Sequence, residues 1–434
     1  MGLSNYEKKI NNKKPKIGFF PEFDILGETY PLIKIAQKCQ KLGADVVFFS
    51  HGGRYEKLVT NKIIKIIKIK PKLTFINKTK YPGIEFIKNH SDEELLKVIS
   101  DEVKFFKKEN VDVIVQGTWI FCPIISSRVA KIPLILINSG TTLPPYYKSG
   151  YATFPDEKQN IITKLIPDFI KNKITNYLLL RQKTFLTKRF NQLAKKSRTD
   201  IRFKRFIDLI LGDYTFLCDD IDFLGLKPSR AFPKQVYINP ILSDDIFVNK
   251  VEDDEKKSIN YIAKSDHKKI FVTMGSSCDK KIFLEILNTL SKTNYKVIAL
   301  YGNILKLEEI PKYDNIYLRK FVSSTKKIHE IVDLSIIHGG RGTTYTSAYS
   351  GKPIIGIPMD TEQQYNIDVL IRRGVGFSLS KKFFDGNKLL RKLEKIFENY
   401  NRYLKNAEDL KRQLKPPNGD LNAAKRILEI LANR

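Results

Sequence analysis

Short apolar runs alternate along the chain with stretches of helical period. Lys16–Phe20 and Asp45–Ser50 read as buried strands on either side of Tyr30–Leu42, whose apolar positions recur at helical spacing until Gly43 closes them. Strand, helix and strand within about 35 residues make a βαβ unit. Further strands are predicted at Asp112–Gln116, Ile132–Asn138, Asp213–Cys218, Val236–Asn239, Lys269–Met274, Val297–Tyr301, Ile316–Leu318, Leu334–Ile337 and Pro353–Ile357. Helices are predicted between them, including Ser91–Lys108, where Ser91 and Glu94 have capping-box spacing. Near the end, Leu389–Leu414 reads as one long polar helix, and Pro416-Pro417 separates it from Leu421–Ala432. Such alternation in two halves predicts an α/β protein of two doubly wound, Rossmann-like domains. The expected boundaries are 15–242 and 258–415, joined by the polar linker 243–257 and followed by a terminal helix in 416–434.

One stretch departs from plain alternation. In Leu334–Gly376 a strand ends in His338-Gly339-Gly340-Arg341-Gly342, and Thr343–Ser350 can wind a helix that Gly351 stops. The first N–H groups of such a helix lack intrahelical partners and converge where the macrodipole favours an anion. Gly340 and Gly342 allow close approach, while Thr343, Thr344 and His338 can add donors. The pattern describes a seat for a diphosphate. An ordinary strand-to-helix turn also likes glycine, but here a second strand is followed by Pro358 and by Asp360, Glu362, Gln363 and Asn366. Polar groups beyond the carboxyl end of a strand are where open α/β sheets hold ligands. A dinucleotide fingerprint starting at Gly340 fails, because Tyr345 stands where its third glycine belongs.

These residues resemble the donor-binding signature of the family 1 glycosyltransferases, nucleotide-sugar enzymes of the two-domain GT-B fold. The matching positions are His338, Gly340, Gly342, Thr343, Gly351, Pro353, Pro358, Glu362, Gln363 and Asn366; Thr346 stands where the family keeps a Glu for the ribose. The resemblance implies an inverting transfer from a UDP-sugar to an acceptor hydroxyl, with the donor cleft between the domains, no cofactor and no metal. It implies that Glu362 and Gln363 hold sugar hydroxyls and that Gly275-Ser276-Ser277 faces the diphosphate from across the cleft. It places Phe321-Val322 under the nucleobase, and it sends the last helix back to the first domain. The family's catalytic His lies in a Gly-His-x-x-Pro loop, which here reads Gly27-Glu28-Thr29-Tyr30-Pro31. Glu28 is then the candidate base, with Asp24 second; a buried site must raise a carboxylate's pKa for that role. A plainer role for Glu28 is to cap the helix that follows. Ser139–Thr142 and Tyr146-Tyr147 are placed at the acceptor cleft, or else simply pack as a loop.

Composition changes this picture in one place. The 434 residues carry a net charge of +29, which invites nucleic acid or an anionic membrane. No compact nucleic-acid module is readable, so most of the lysines are read as solvated surface and no nucleic-acid partner is expected. The exception is 161–205, where Lys164, Lys173, Arg181, Lys183 and Lys188 interleave with Leu165, Phe169, Leu178–Leu180 and Phe185. It reads either as an element for an anionic membrane surface or as a helical excursion packed on the first domain. The four cysteines and five histidines are scattered, so neither disulfides nor a metal site is expected. No apolar run approaches the roughly 18 residues of a span, and MGLSNYEKKINNKKPK has no signal-like apolar core, so a cytoplasmic place is expected. A silent nucleotide-sugar binder and an epimerase of the same architecture remain as alternatives.

Overall fold

A computed structural model describes residues 14–60, 64–72, 82–228, 232, 234–242, 252–263, 265–275, 278–322 and 324–434. Its first sheet contains β1 (Lys16–Phe20), β2 (Asp45–Ser50), β3 (Ile66–Lys68), β4 (Val113–Gln116), β5 (Leu134–Asn138), β6 (Tyr214–Leu217) and β7 (Gln235–Tyr237). They lie in the order β3-β2-β1-β4-β5-β6-β7, all parallel, with Ile17 beside both Val46 and Val113. The second sheet contains β8 (Lys269–Thr273), β9 (Lys296–Leu300), β10 (Ile316–Arg319), β11 (Leu334–Ile337), β12 (Ile354–Gly356) and β13 (Gly376–Ser378). Its order is β10-β9-β8-β11-β12-β13, again all parallel. Because helices cover both faces of each sheet, the central strands are apolar throughout, as in the wholly buried Leu134–Asn138. Strand order reverses between β1 and β4 and between β8 and β11, and a crevice opens beyond the carboxyl ends at each reversal.

The helices that matter for the site are α1 (Leu26–Lys41), α2 (Asp92–Lys108), α3 (Ile161–Leu165), α4 (Asp168–Arg181), α5 (Phe185–Lys196), α6 (Arg341–Ser350), α7 (Thr361–Arg372), α8 (Gly386–Glu398), α9 (Tyr400–Gln413) and α10 (Gly419–Ala432). Two of them differ from the sequence expectation. Pro31 suggests a helix start, since proline is at home in a first turn, yet α1 begins ahead of it at Leu26 with Pro31 inside. Glu28 therefore comes from a helix's first turn and not from a loop. The single helix expected over Leu389–Leu414 is two, α8 and α9, meeting at Asn399, whose φ of −115° and ψ of 31° leave the helical region. The bend lets Leu389, Leu393 and Ile396 of α8 and Tyr403 of α9 face the same core. The capping box at α2 forms in both directions: Ser91 Oγ accepts the Glu94 N–H at 3.2 Å, and Glu94 Oε2 accepts the Ser91 N–H at 2.7 Å.

The last helix, α10, packs on the first domain. Its Ala423, Ala424, Ile427 and Leu428 share a core with Ile35, Ala36 and Cys39 of α1. Where the chain returns, Asn418 pairs with Ile241, and the Gly419 N–H donates to Pro240 O at 3.2 Å. Another core runs from one domain into the other, with Tyr146 against Tyr365 at 5.9 Å and Phe223 against Tyr345 at 4.6 Å between ring centres. Among the described residues no helix is long and apolar enough to cross a membrane.

Candidate functional site

The glycine-rich loop follows β11. Gly339 turns the chain with φ +87°, and a Cβ there would stand 2.5 Å from Gln363 O, so a side chain is excluded both by conformation and by space. Helix α6 then starts, and its first intrahelical bond is Thr344 N–H to Gly340 O at 2.9 Å. The N–H groups of Arg341, Gly342 and Thr343 precede that bond, which leaves them to converge on one spot at the positive end of the helix. From the neighbouring strand β8, Gly275 presses on the His338 ring: a Cβ at Gly275 would lie 2.5 Å from His338 Nε2. The two loops thus meet at His338. Ser276 and Ser277 lie outside the described residues.

His338 differs from the expectation that it simply donates. Burial lowers its pKa, so the free ring is neutral, and Nδ1, 3.4 Å from Thr273 O, carries the proton that faces that carbonyl. Nε2 is then a bare lone pair, and an anion beside it must bring a proton. Two threonines also differ. Thr344 Oγ1 donates to Gly340 O at 3.1 Å and Thr346 Oγ1 to Gly342 O at 2.9 Å, both side chains being buried along the helix. Their hydroxyls are committed to backbone one turn earlier, as Ser and Thr inside helices often are. Thr343, at the helix start, is partly exposed.

Helix α7 sorts the second polar cluster. Asp360 caps it by accepting the Gln363 N–H at 2.9 Å. Gln363 Oε1 accepts the Met359 N–H at 2.9 Å, which fixes the orientation of its amide. Asn366 donates to Gly339 O and accepts from Thr141 Oγ1, each at 3.0 Å, tying the glycine-rich loop to the first domain. Of this cluster, Glu362 turns toward open space.

That space is a cavity of about 190 Å³ between the domains, lined by Glu28, Thr118, Trp119, Ser139, Thr142 and Tyr147 from the first and Arg341, Thr361, Glu362 and Tyr365 from the second. Leu179, Phe206, Ile207 and Ile210 make its walls apolar. Glu28 Oε2 accepts the Thr118 N–H at 2.6 Å. Burial raises the Glu28 pKa, while Arg341 and the Thr118 N–H pull it back. Burial also lifts Glu362 to about 7, again against Arg341. Arg341 is the residue that the sequence reading passes over. Burial opposes its charge, but Cys218, Asp219, Glu362 and Glu28 together hold it above its ordinary pKa. An arginine in the first turn of a helix opposes the macrodipole, and that anomaly in Gly-Gly-Arg-Gly was the available signal for acidic neighbours.

Other candidates fall away from this centre. Asp24 Oδ1 accepts the Arg54 N–H and Nε–H at 3.0 and 3.3 Å, and Asp24 does not line the cavity. Val322 is buried in a small core with Phe271, Ile298 and Ile328, so its side chain cannot meet a base. Phe321 is partly buried and stands near Gly302, outside the cavity wall. Gln116 Nε2 donates to Ile120 O at 2.8 Å, and the Thr118 amide orients Glu28. Ser139, Thr142 and Tyr147 do reach the cavity, whereas Tyr146 turns away and donates to Tyr365 O at 3.3 Å.

With this geometry in view, residues 269–419 match the model of the glycosyltransferase family 28 C-terminal domain. The human UDP-glucuronosyltransferase 3A2 is 22% identical over 324 residues, 69% of this chain and 58% of its own length. A PGL/p-HBAD biosynthesis glycosyltransferase of Mycobacterium tuberculosis (strain ATCC 25177 / H37Ra) is 26% identical over 170 residues, 39% of this chain and 36% of its own. The chain therefore spans less than two thirds of the length of these relatives. Among solved structures, a UDP-glucosyltransferase from Polygonum tinctorium superposes with TM-score 0.68 at 12% identity, covering 97% of this chain and 99% of that one. Spinosyn forosaminyltransferase SpnP superposes with TM-score 0.64 at 14% identity, covering 97% and 100%. The chain has the GT-B fold, and its residues 269–419 match the glycosyltransferase family 28 C-terminal domain.

Proposed function

We propose that the chain transfers a sugar from a nucleotide diphosphate donor, a UDP-sugar, to an acceptor hydroxyl, with inversion and without metal or cofactor. The observation that carries this reading is the meeting of Glu28, Arg341 and Glu362 on one cavity between the domains, beside the open N-terminus of α6. The acceptor oxygen attacks the sugar's anomeric carbon while the bond from that carbon to the diphosphate oxygen breaks. Glu28 takes the acceptor proton, and the Arg341–Thr343 amides receive the charge that grows on the leaving diphosphate. Glu362 accepts a hydrogen bond from a sugar hydroxyl. The UDP donor is supported by the names of the relatives, a UDP-glucuronosyltransferase among them.

The reading includes a cytoplasmic place of action and an anionic membrane surface as partner of 161–205. A second reading, a silent nucleotide-sugar binder, is favoured by one observation: Thr346, in the place of the ribose acid, turns its hydroxyl into the helix. Calorimetry against UDP-, dTDP- and GDP-sugars, followed by donor hydrolysis by wild type and Glu28→Gln, separates the two. Binding with hydrolysis that falls in the variant supports the transferase. Binding with no turnover supports the silent binder, and no binding to any donor sinks both.

A further inference from the structure

Helix α4 is built inside out. The side chains it buries are Lys171, Thr175 and Asn176, while Ile170, Ile174, Tyr177 and Leu178, which recur at helical spacing, face outward together with Phe169. The inward polar groups are satisfied: Lys171 pairs with Asp168 at 2.7 Å, and Asn176 Nδ2 donates to Ala152 O at 2.7 Å. The outward apolar face is continued by α3, with Leu165 and Ile161 each 83% exposed and Phe169 of α4 72% exposed. Nine of the eleven exposed large hydrophobic residues among those described fall within 161–185. A patch so concentrated marks an interaction surface.

Charge selects the occupant. Lys164, Lys173, Arg181 and Lys183 are exposed among these side chains, and Asp168 is the acid nearest them in the sequence. Two copies of so basic a face repel each other, whereas anionic lipid headgroups neutralise it while their chains take up the apolar side chains. The inner side of the same element belongs to the site: Leu179, one residue beyond exposed Leu178, lines the cavity together with Gln182. The wall of the cavity is therefore the back of the outward face.

We propose that α3 and α4 lay this face into an anionic bilayer, and that the acceptor is a membrane amphiphile whose hydroxyl head enters the cavity past Leu179 and Gln182. The docking stands on its own; only the role of the entering lipid as acceptor rests on the transferase reading above.

The test uses the full chain, with vesicles of phosphatidylcholine alone or with about one third phosphatidylglycerol. Trp119 is the single tryptophan and lines the cavity, so its fluorescence reports a brominated phosphatidylglycerol that enters. Wild type is expected to float with the anionic vesicles and to show Trp119 quenching. Leu165→Asp/Phe169→Asp should lose about tenfold or more of the floated fraction and lose the quenching. Lys173→Glu/Lys183→Glu should lose the preference for anionic vesicles. All three proteins should bind UDP equally by calorimetry, which shows that the variants fold and tests the donor reading separately. Wild type that stays unfloated on both vesicle types overturns the docking, as does a dimer in light scattering that the Asp variant dissolves. Flotation without quenching overturns the entry of the lipid.

Discussion

Glu28 reaches out of the first turn of α1 to the end of β4, where its Oε2 accepts the Thr118 N–H at 2.6 Å; a Cβ on Gly117 would lie 2.4 Å from the same oxygen. The acid is thus held at Thr118, and glycine leaves room for it. Glu28→Gln keeps the size of the side chain and removes the proton acceptor. Turnover, followed as UDP release, is expected to fall roughly 10²–10⁴-fold while donor affinity by calorimetry stays within about twofold.

Arg341 sets where that base works. It favours the ionised form of Glu28, so Arg341→Met should raise the Glu28 pKa. The acid limb of the kcat profile then moves to higher pH, and activity is lost sooner on acidification. A rate-against-pH curve for both proteins measures it; an unmoved acid limb would separate the two residues.

His338 is neutral before the donor arrives, its pKa lowered by burial. A diphosphate near Nε2 favours the charged ring, so binding should take up a proton and UDP affinity should weaken as pH rises. Calorimetry in buffers of different ionisation enthalpy counts the proton. His338→Ala should bind UDP more weakly and with no such uptake.

Glu22 lies wholly buried just ahead of α1, its Oε2 without a hydrogen-bond partner, and burial lifts its pKa to about 8. The folded chain must then keep a proton that the unfolded chain releases. Its contribution is fully present below about pH 4.5 and is lost as pH rises toward 8. Glu22→Gln, which imitates the protonated acid, should raise stability by roughly 2–4 kcal/mol at pH 8 and by little at pH 4, read from urea midpoints.

Thr346→Val removes a hydroxyl that bonds only to Gly342 O in the structure. Donor affinity should stay within about twofold, and stability within roughly 1 kcal/mol. A large loss of UDP binding would restore Thr346 to the ribose site.

The doubly wound sheets were legible because period and composition agree: strands buried on both faces are apolar runs, and glycine ends the helices between them. The glycine-rich turn after β11 was legible for a different reason, since Gly339 has a conformation and a clearance that only glycine meets. Direction of side chains was not legible. Thr344, Thr346 and Gln363 have the right chemistry for a ligand, yet each bonds to nearby backbone, and only the path of the helix decides between the two. Arg341 was obscured because its acidic neighbours Glu28 and Asp219 come from the other domain. The start of α1 was misplaced because Pro31 has two good positions, and the split at Asn399 because the apolar stripe continues across it.

The chain passes between its domains twice, and the two passages touch: Asn418 pairs with Ile241, and Asn422 Nδ2 donates to Ile238 O at 3.0 Å. Two bodies joined at one point can swing apart in any direction, but two joined along a seam are left with rotation about it. The bonds across the cleft, such as Thr153 to Asp368 at 2.6 Å and Gln364 to Phe154 at 3.0 Å, lie on the far side of that seam, so on the proposed function a donor that enters between the domains must break them.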